Sequence, residues 1–351
     1  MTRSAIPRLQ HPIHRVSADE GLHAPPAEAA GRLFGDTVWL SLIDPDAGVW
    51  GMIHNHICPN RGYGRFAAYV VIDGTEHVYA GKTTGGLSVG DMRWSDGQMT
   101  YQVLEPYQRI AVQLDCARFG FDLTYTARHV VFDYDDCVGG SPLEGLKPAA
   151  GVHGGHYEQA MDVSGTFEIR GGPTAGQIRV IDAIAHRDHT WSDRFAGSAP
   201  WAYPDGVQAA LHFWHVLQFP ERNMNVTGFF DLSPLGIERP IDRVGGFEST
   251  TDGARRIVAC SPAPEAGGLV EPRGREVPLR WRIEFEDGEA IHVVMCEPKW
   301  VAKLRMLGED DAESRLNDYE TFGELLIEET GERGVGQFEH STLPPNPRWL
   351  T

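Results

Sequence analysis

Thr37-Val38-Trp39-Leu40-Ser41-Leu42-Ile43, then Asp44-Pro45-Asp46-Ala47-Gly48, then Val49-Trp50-Gly51-Met52-Ile53-His54, is the stretch that decides the fold class. Two β-branched, aromatic-rich runs flank a block of turn formers, which is the composition of a β-hairpin. A second hairpin signal lies at 210–219 and 225–232, around Pro220-Glu221-Arg222-Asn223. Trp39 and Trp214 stand 175 residues apart, and so do Pro45 and Pro220. A spacing of about half the chain is what a duplicated domain gives.

Working outward, strand-like runs recur at 67–72, 77–80, 99–104, 110–115, 121–126, 161–169 and 177–184, separated by turn residues. A last pair, 321–329 and 334–340, precedes a Pro-rich tail at 343–347. Helical periodicity is scarce; the clearest stretch is Pro298 to Leu307. The expected class is therefore all-β with few short helices. We expect an irregular arm over residues 1–30, one β domain over 31–170 and a second over 171–351.

Composition narrows the function classes. The 351 residues are 41% hydrophobic and 23% charged, as in soluble globular proteins. A net charge of −18 sets the chain against nucleic-acid backbones and anionic membrane surfaces. Five dispersed cysteines, with no C-x-x-C pair, read as reduced thiols of a cytoplasmic protein. The N-terminus has no apolar core of signal-peptide length, and no apolar run is long enough to insert stably in a membrane. No phosphate-binding loop, dinucleotide fingerprint or Gly-x-Ser-x-Gly elbow is present. The expected cofactor set is none.

The chemistry-bearing residues gather at His186-Arg187-Asp188-His189-Thr190-Trp191-Ser192-Asp193-Arg194, directly after the strand-like run 177–184. Mixed charges beside an aromatic ring describe a desolvated wall where pKa values are tuned, or a structural ion pair. Four histidine pairs, 54/56, 153/156, 186/189 and 212/215, raise a metal site. On strands, pairs three apart point to opposite faces, and none has the spacing of a zinc motif. No metal is expected. On 211–219, alternation puts His215 with Leu211, Phe213, Leu217 and Phe219 on an apolar face, and Trp214 on the other.

Tyr157-Glu158-Gln159, the strand through Gly165-Thr166, and His186-Arg187-Asp188-His189-Thr190-Trp191 with Arg194 resemble the carotenoid 1,2-hydratase (hydroxyneurosporene synthase)-like family. In that family a strand leads into a comparable Asp-His-x-Trp segment, usually followed by Gly, where this chain has Ser192-Asp193. The layout agrees over residues 30–340 and the motifs over 155–194. The resemblance implies two tandem lipocalin-like antiparallel β-barrels or sandwiches, an architecture shared with fungal Diels–Alderase-type cyclases. It also implies cofactor-independent chemistry on an apolar unsaturated molecule, isoprenoid-like or polycyclic.

Hydrating an alkene needs a proton donor and a wall that tolerates positive charge. A carboxylic acid kept neutral in an apolar pocket can donate, and an aromatic face can stabilise the cation. We expect Asp188, His189 and His215 to carry the proton work, with Asp231 a second candidate acid. Trp191, Trp214, Tyr157 and His186 would line the substrate, and Arg187 and Arg194 would hold a carboxylate or a polar substrate group. The expected activity is a hydratase. The alternatives are an isomerase or cyclase on the same scaffold, a non-catalytic carrier of a hydrophobic ligand, or a metal-dependent barrel enzyme.

Overall fold

A computed structural model describes residues 16–27, 33–142, 154–194, 207, 210–231, 240–263, 268–270, 276–304 and 317–342. Among them the chain is all-β, with short 3-10 turns such as Ser17–Glu20 as its helical segments. Two compact units divide it, one built on residues 13–133 and 152–195 and the other on 134–151 and 196–351.

The first unit is a barrel-like sheet of β1 (Leu33–Asp44), β2 (Val49–Cys58), β3 (Tyr63–Ile72), β4 (Thr75–Thr83), β5 (Arg93–Ser95), β6 (Met99–Glu105), β7 (Arg109–Asp115), β8 (Phe119–Ala127), β9 (Phe132–Asp133), β10 (Gly155–Ile169) and β11 (Ile178–Arg194). The antiparallel order is β4-β3-β2-β1-β11-β10-β8-β7-β6-β5, with the short β9 beside β10. The two edges, β4 and β5, carry no ladder between them. Side chains span that gap: the Tyr79 hydroxyl donates to Asp96 at 2.6 Å, and Arg118 donates to the Val78 carbonyl at 2.7 Å. The hairpin read from the sequence is present, with Asp44 paired to Val49. Gly48 closes it at φ +69°, a left-handed conformation that glycine enters without steric cost.

The second unit is a closed barrel of β12 (Ala210–Gln218), β13 (Asn223–Asp231), β14 (Pro240–Thr250), β15 (Gly253–Pro262), β18 (Arg280–Phe285), β19 (Ala290–Leu304), β20 (Asn317–Ile327) and β21 (Arg333–Thr342). A two-stranded ribbon, β16 (Gly268–Val270) with β17 (Glu276–Pro278), sits between β15 and β18 in sequence. Closure pairs β12 with β21, as β1 pairs with β11 in the first unit. Trp39 and Trp214 therefore occupy matching first strands.

Three expectations change. The division near residue 170 moves to residue 195, because β11 ladders to both β10 and β1 and so belongs to the first barrel. The helix expected from Pro298 is the end of β19 up to Leu304, laddered to β20 through bulges near Glu297 and Trp300. Of the irregular arm, residues 16–27 pack on the first barrel, with Glu20 and Leu22 buried. The Pro-rich tail at 343–347 lies outside the described residues.

Period-2 alternation fills each barrel. Val38, Leu40 and Leu42 of β1 meet Met161 and Val163 of β10 and Ala185 of β11 in the first core. Phe213, Leu217, Trp281 and Phe338 fill the second, as the alternation on 211–219 predicts. Gly165 in β10 takes φ +150° where a Cβ would run into the Asp122 carbonyl, so the bend there requires glycine. The five cysteines form no disulfide; four are buried and Cys296 is exposed. No described helix is long and apolar enough to cross a membrane.

Candidate active site

The polar stretch is not a loop: β11 continues through it to Arg194. A strand sends successive side chains to opposite faces, so the cluster splits in two. Arg187, His189 and Trp191 follow Ala185 onto the inner face. His186, Asp188 and Thr190 take the outer face.

Inside the barrel a hydrogen-bonded chain links the N-terminal arm with three strands. The N-terminal turn inserts Glu20, whose two oxygens accept from Arg187 at 2.9 and 3.0 Å. The Tyr157 hydroxyl, on β10, donates to Glu20 at 3.0 Å and lies 2.7 Å from His189 Nδ1. His189 Nε2 lies 2.7 Å from Asp36 Oδ1 on β1. The other Asp36 oxygen accepts from the backbone and ring of His23, at 2.7 and 2.8 Å. His23 in turn stacks on Trp191, with ring centroids 3.7 Å apart. Glu20, Asp36, Tyr157, Arg187 and His189 are all fully buried. Trp94 and Tyr107 place ring edges against His189 and Tyr157, and the Arg187 guanidinium sits 4.9 Å over the Tyr157 ring.

Electrostatics sets the charges. Burial works against the Asp36 charge, but His189 and His23 outweigh it and hold the carboxyl at about 2. Burial likewise opposes the Glu20 charge, and Arg187 overcomes it, so this carboxyl also lies below its ordinary range. Burial raises the Tyr157 hydroxyl well above its ordinary value, and the phenol stays protonated. An ionised Asp36 only accepts, so His189 Nε2 carries a proton. Tyr157 spends its single proton on Glu20. His189 thus bridges Asp36 and Tyr157, and Arg187 balances the Glu20 charge.

On the outer face, β10 and β11 bring five more groups together. Glu158 lies directly opposite Asp188 in the ladder. His156 Nε2 lies 2.9 Å from Glu158 Oε1 and 3.0 Å from Asp188 Oδ1. His186 Nε2 lies 2.5 Å from Glu158 Oε2, and Thr190 donates to Asp188 at 2.5 Å. Burial disfavours the charged His156, yet Asp188 and Glu158 together raise it to about 9. Gly154 lets β10 start here, since a Cβ would strike the Trp191 carbonyl. Two triads hold donor atoms close enough for a metal ion: His23, Asp36 and His189 inside, and His156, Glu158 and Asp188 outside.

Of the expected site residues, the structure brings Arg187, His189, Tyr157 and Trp191 together inside the first barrel. Asp188 and His186 stand back to back with them on the other face of β11. His215 belongs to the interior of the second barrel, among Phe213, Trp281 and Phe338. Neither of its ring nitrogens has a hydrogen-bond partner among the described residues, and burial lowers it to about 3. Trp214 faces away from that interior, opposite Thr227 and Glu339. Arg194 ends β11 opposite Leu33, and its side chain lies outside the described residues. Asp231 is buried at the end of β13, opposite Ala210.

Glu20, His23 and Asp36 were not among the expected residues. Asp36 carried a signal, because it shares the inward phase of Val38, Leu40 and Leu42, one residue before the strand was taken to begin. Glu20 carried none; its partner Arg187 is 167 positions away. A charged depression of about 390 Å³ lies elsewhere, on the second barrel, lined by Glu221, Arg222, Glu248, Arg255 and Glu289. Its lining suits no apolar molecule.

Fold and site together define a two-barrel protein with an ionic centre in the first barrel. The model of the DUF7064 family, described as a domain of unknown function, matches residues 17–231, and the chain belongs to that family. The match starts at the turn that carries Glu20 and ends at the last residue of β13. No curated protein sequence matches the chain.

Solved structures share the fold at low identity. An AttH assignment from Nitrosomonas europaea aligns with TM-score 0.59 and 12% identity, covering 95% of this chain and 99% of that one. Kievitone hydratase from Nectria haematococca aligns with TM-score 0.53 and 13% identity, covering 95% and 96%. CghA aligns with TM-score 0.57 and 13% identity, covering 92% and 94%, and its complex with Sch210972 aligns similarly. The two-barrel architecture implied by the resemblance is thereby found.

Proposed function

We propose that the first barrel is a cofactor-independent acid–base centre acting on a small apolar unsaturated molecule, with water addition across a carbon–carbon double bond as its reaction. The observation that carries this reading is the unbroken chain Asp36–His189–Tyr157–Glu20–Arg187 inside an apolar barrel. An imidazole held by an ionised carboxylate, with a phenol on its other nitrogen, moves a proton along a fixed path. The buried acids Glu20 and Asp36 are ionised, so the proton comes from the His189–Tyr157 pair rather than from a neutral carboxylic acid. A donor of that strength suits a double bond conjugated to a carbonyl better than an isolated alkene. Arg187 fixes Glu20, and Trp191 with His23 forms the rim, where the network is least covered: His23 is 15% exposed.

The fold shared with kievitone hydratase supports this class of chemistry, and the carotenoid hydratase resemblance supports an apolar substrate. Cyclisation or isomerisation would use the same proton path. Full burial of Glu20, Tyr157, Arg187 and His189 favours one rival, a carrier whose buried ions only brace the barrel.

The test is native mass spectrometry of the purified protein, identification of any released apolar molecule, and incubation of that molecule with the protein in labelled water. Label in the product, lost in Tyr157→Phe and His189→Gln while binding persists, is the expected result. A ligand recovered unchanged would establish the carrier.

A further inference from the structure

From the outer face of β10 and β11 we infer a binding site for one divalent transition-metal ion, held by His156, Glu158 and Asp188. Sequence spacing had spoken against metal because histidines three apart cannot share a strand face. The structure assembles a different pairing. His156-x-Glu158 and His186-x-Asp188 each place both members on one face, and the ladder sets Glu158 opposite Asp188. Two like charges directly opposite each other destabilise a sheet unless a cation joins them. Glu158 is fully buried and Asp188 is 15% exposed, and buried carboxylates are paired or coordinate metals.

The distances fit an ion. Bonds of about 2.0–2.1 Å put neighbouring ligands about 3.3 Å apart at the tetrahedral angle and about 2.9 Å apart at the right angle of an octahedral site. His156 Nε2 lies 2.9 Å from one carboxylate oxygen and 3.0 Å from the other. The supporting contacts are those that orient metal ligands: His186 on the second Glu158 oxygen, and the Thr190 hydroxyl on Asp188. One imidazole and two carboxylates match zinc, iron(II), cobalt(II) or manganese(II). Three protein ligands leave a position for water or an oxygen donor.

The test is titration of chelator-treated full-length protein with Co²⁺, followed by calorimetry and visible absorption, with Zn²⁺ competition. One equivalent of Co²⁺ with a ligand-field spectrum is expected, and Zn²⁺ should bleach it. Glu158→Gln and His156→Ala should abolish the spectrum. His186→Gln, the residue type at the matching position of the second barrel, should weaken affinity about 10–100-fold with the circular dichroism unchanged. No spectrum in the wild type, or one that persists in Glu158→Gln and His156→Ala, would overturn the site. The readout needs no substrate, so its failure leaves the proposed reaction untouched.

Discussion

In the first barrel Trp39 lies opposite Asp188, and Asp188 lies opposite Glu158; in the second, Trp214 lies opposite Glu339, and Glu339 lies opposite Glu320. One residue further, Val38, His189 and Tyr157 correspond to Phe213, His340 and Tyr319. A Tyr-Glu pair and an acid-His-hydroxyl triplet thus recur in the same register. What differs is the charge inside. Arg187 becomes Phe338, Asp36 becomes Leu211, and Leu40 becomes His215. The second barrel keeps the tyrosine and histidine in a closed apolar interior, whereas the first adds two carboxylates and an arginine. The comparison teaches that the strand frame is duplicated and the ionic centre is not. That centre depends on Glu20, which arrives from outside the frame.

Removing the added charge is the largest way to break the comparison. Glu20→Gln leaves Arg187 buried without its carboxylate and should cost about 3–5 kcal/mol. Urea titration of the first-barrel transition would read it. Glu20→Leu with Arg187→Met makes that interior resemble the second barrel and should restore most of the loss, since a buried pair is often replaceable by apolar volume. A double variant as unstable as the single one would show that the pair does more than balance itself.

A pH titration sharpens the same contrast. Asp36 is held at about 2 against an ordinary 3.8, so its contribution is complete above about pH 4 and disappears as pH falls toward 2. That contribution is on the order of 2 kcal/mol. His23 and His189 are the groups that face it, and Asp36→Asn should flatten this part of the profile. Leu211 holds the matching place in the second barrel and contributes nothing of the kind.

The smallest effect comes from the second barrel. The His215 ring is neutral and its nitrogens have no hydrogen-bond partner among the described residues, so His215→Leu should leave stability within about 1 kcal/mol or raise it. His189→Leu should instead cost about 2–3 kcal/mol, because the buried Asp36 and Tyr157 lose their hydrogen-bond partner. Equal losses from both, measured by urea titration, would remove the distinction between the interiors.

Much of this was legible in the chain. Alternation and turn chemistry marked both opening hairpins, and the Trp39–Trp214 spacing marked the duplication. The cluster at 186–194 marked the right strand. It did not show that the strand runs on to Arg194, and so it did not separate the inner residues from the outer ones. Charged and polar residues on both faces carry no strand alternation until a ladder on each side claims their backbone. The division near 170 failed for the same reason: β11 returns to close the first sheet, a long-range pairing without local signal. His215 looked suited to proton work because its apolar neighbours were visible and its missing partner was not. Glu20 stood in an arm whose composition gave no sign of burial.

The measurement that reaches the central claim most directly is product formation from a panel of apolar α,β-unsaturated ketones in deuterated, oxygen-18 water. It would compare the wild type with matched variants of the two barrels, His189→Gln and Tyr157→Phe against His340→Gln and Tyr319→Phe. The account predicts that the first pair loses at least 100-fold of label incorporation, about 3 kcal/mol of transition-state stabilisation, and that the second pair keeps it. Equal activity in all four variants, or loss confined to the second barrel, would contradict it.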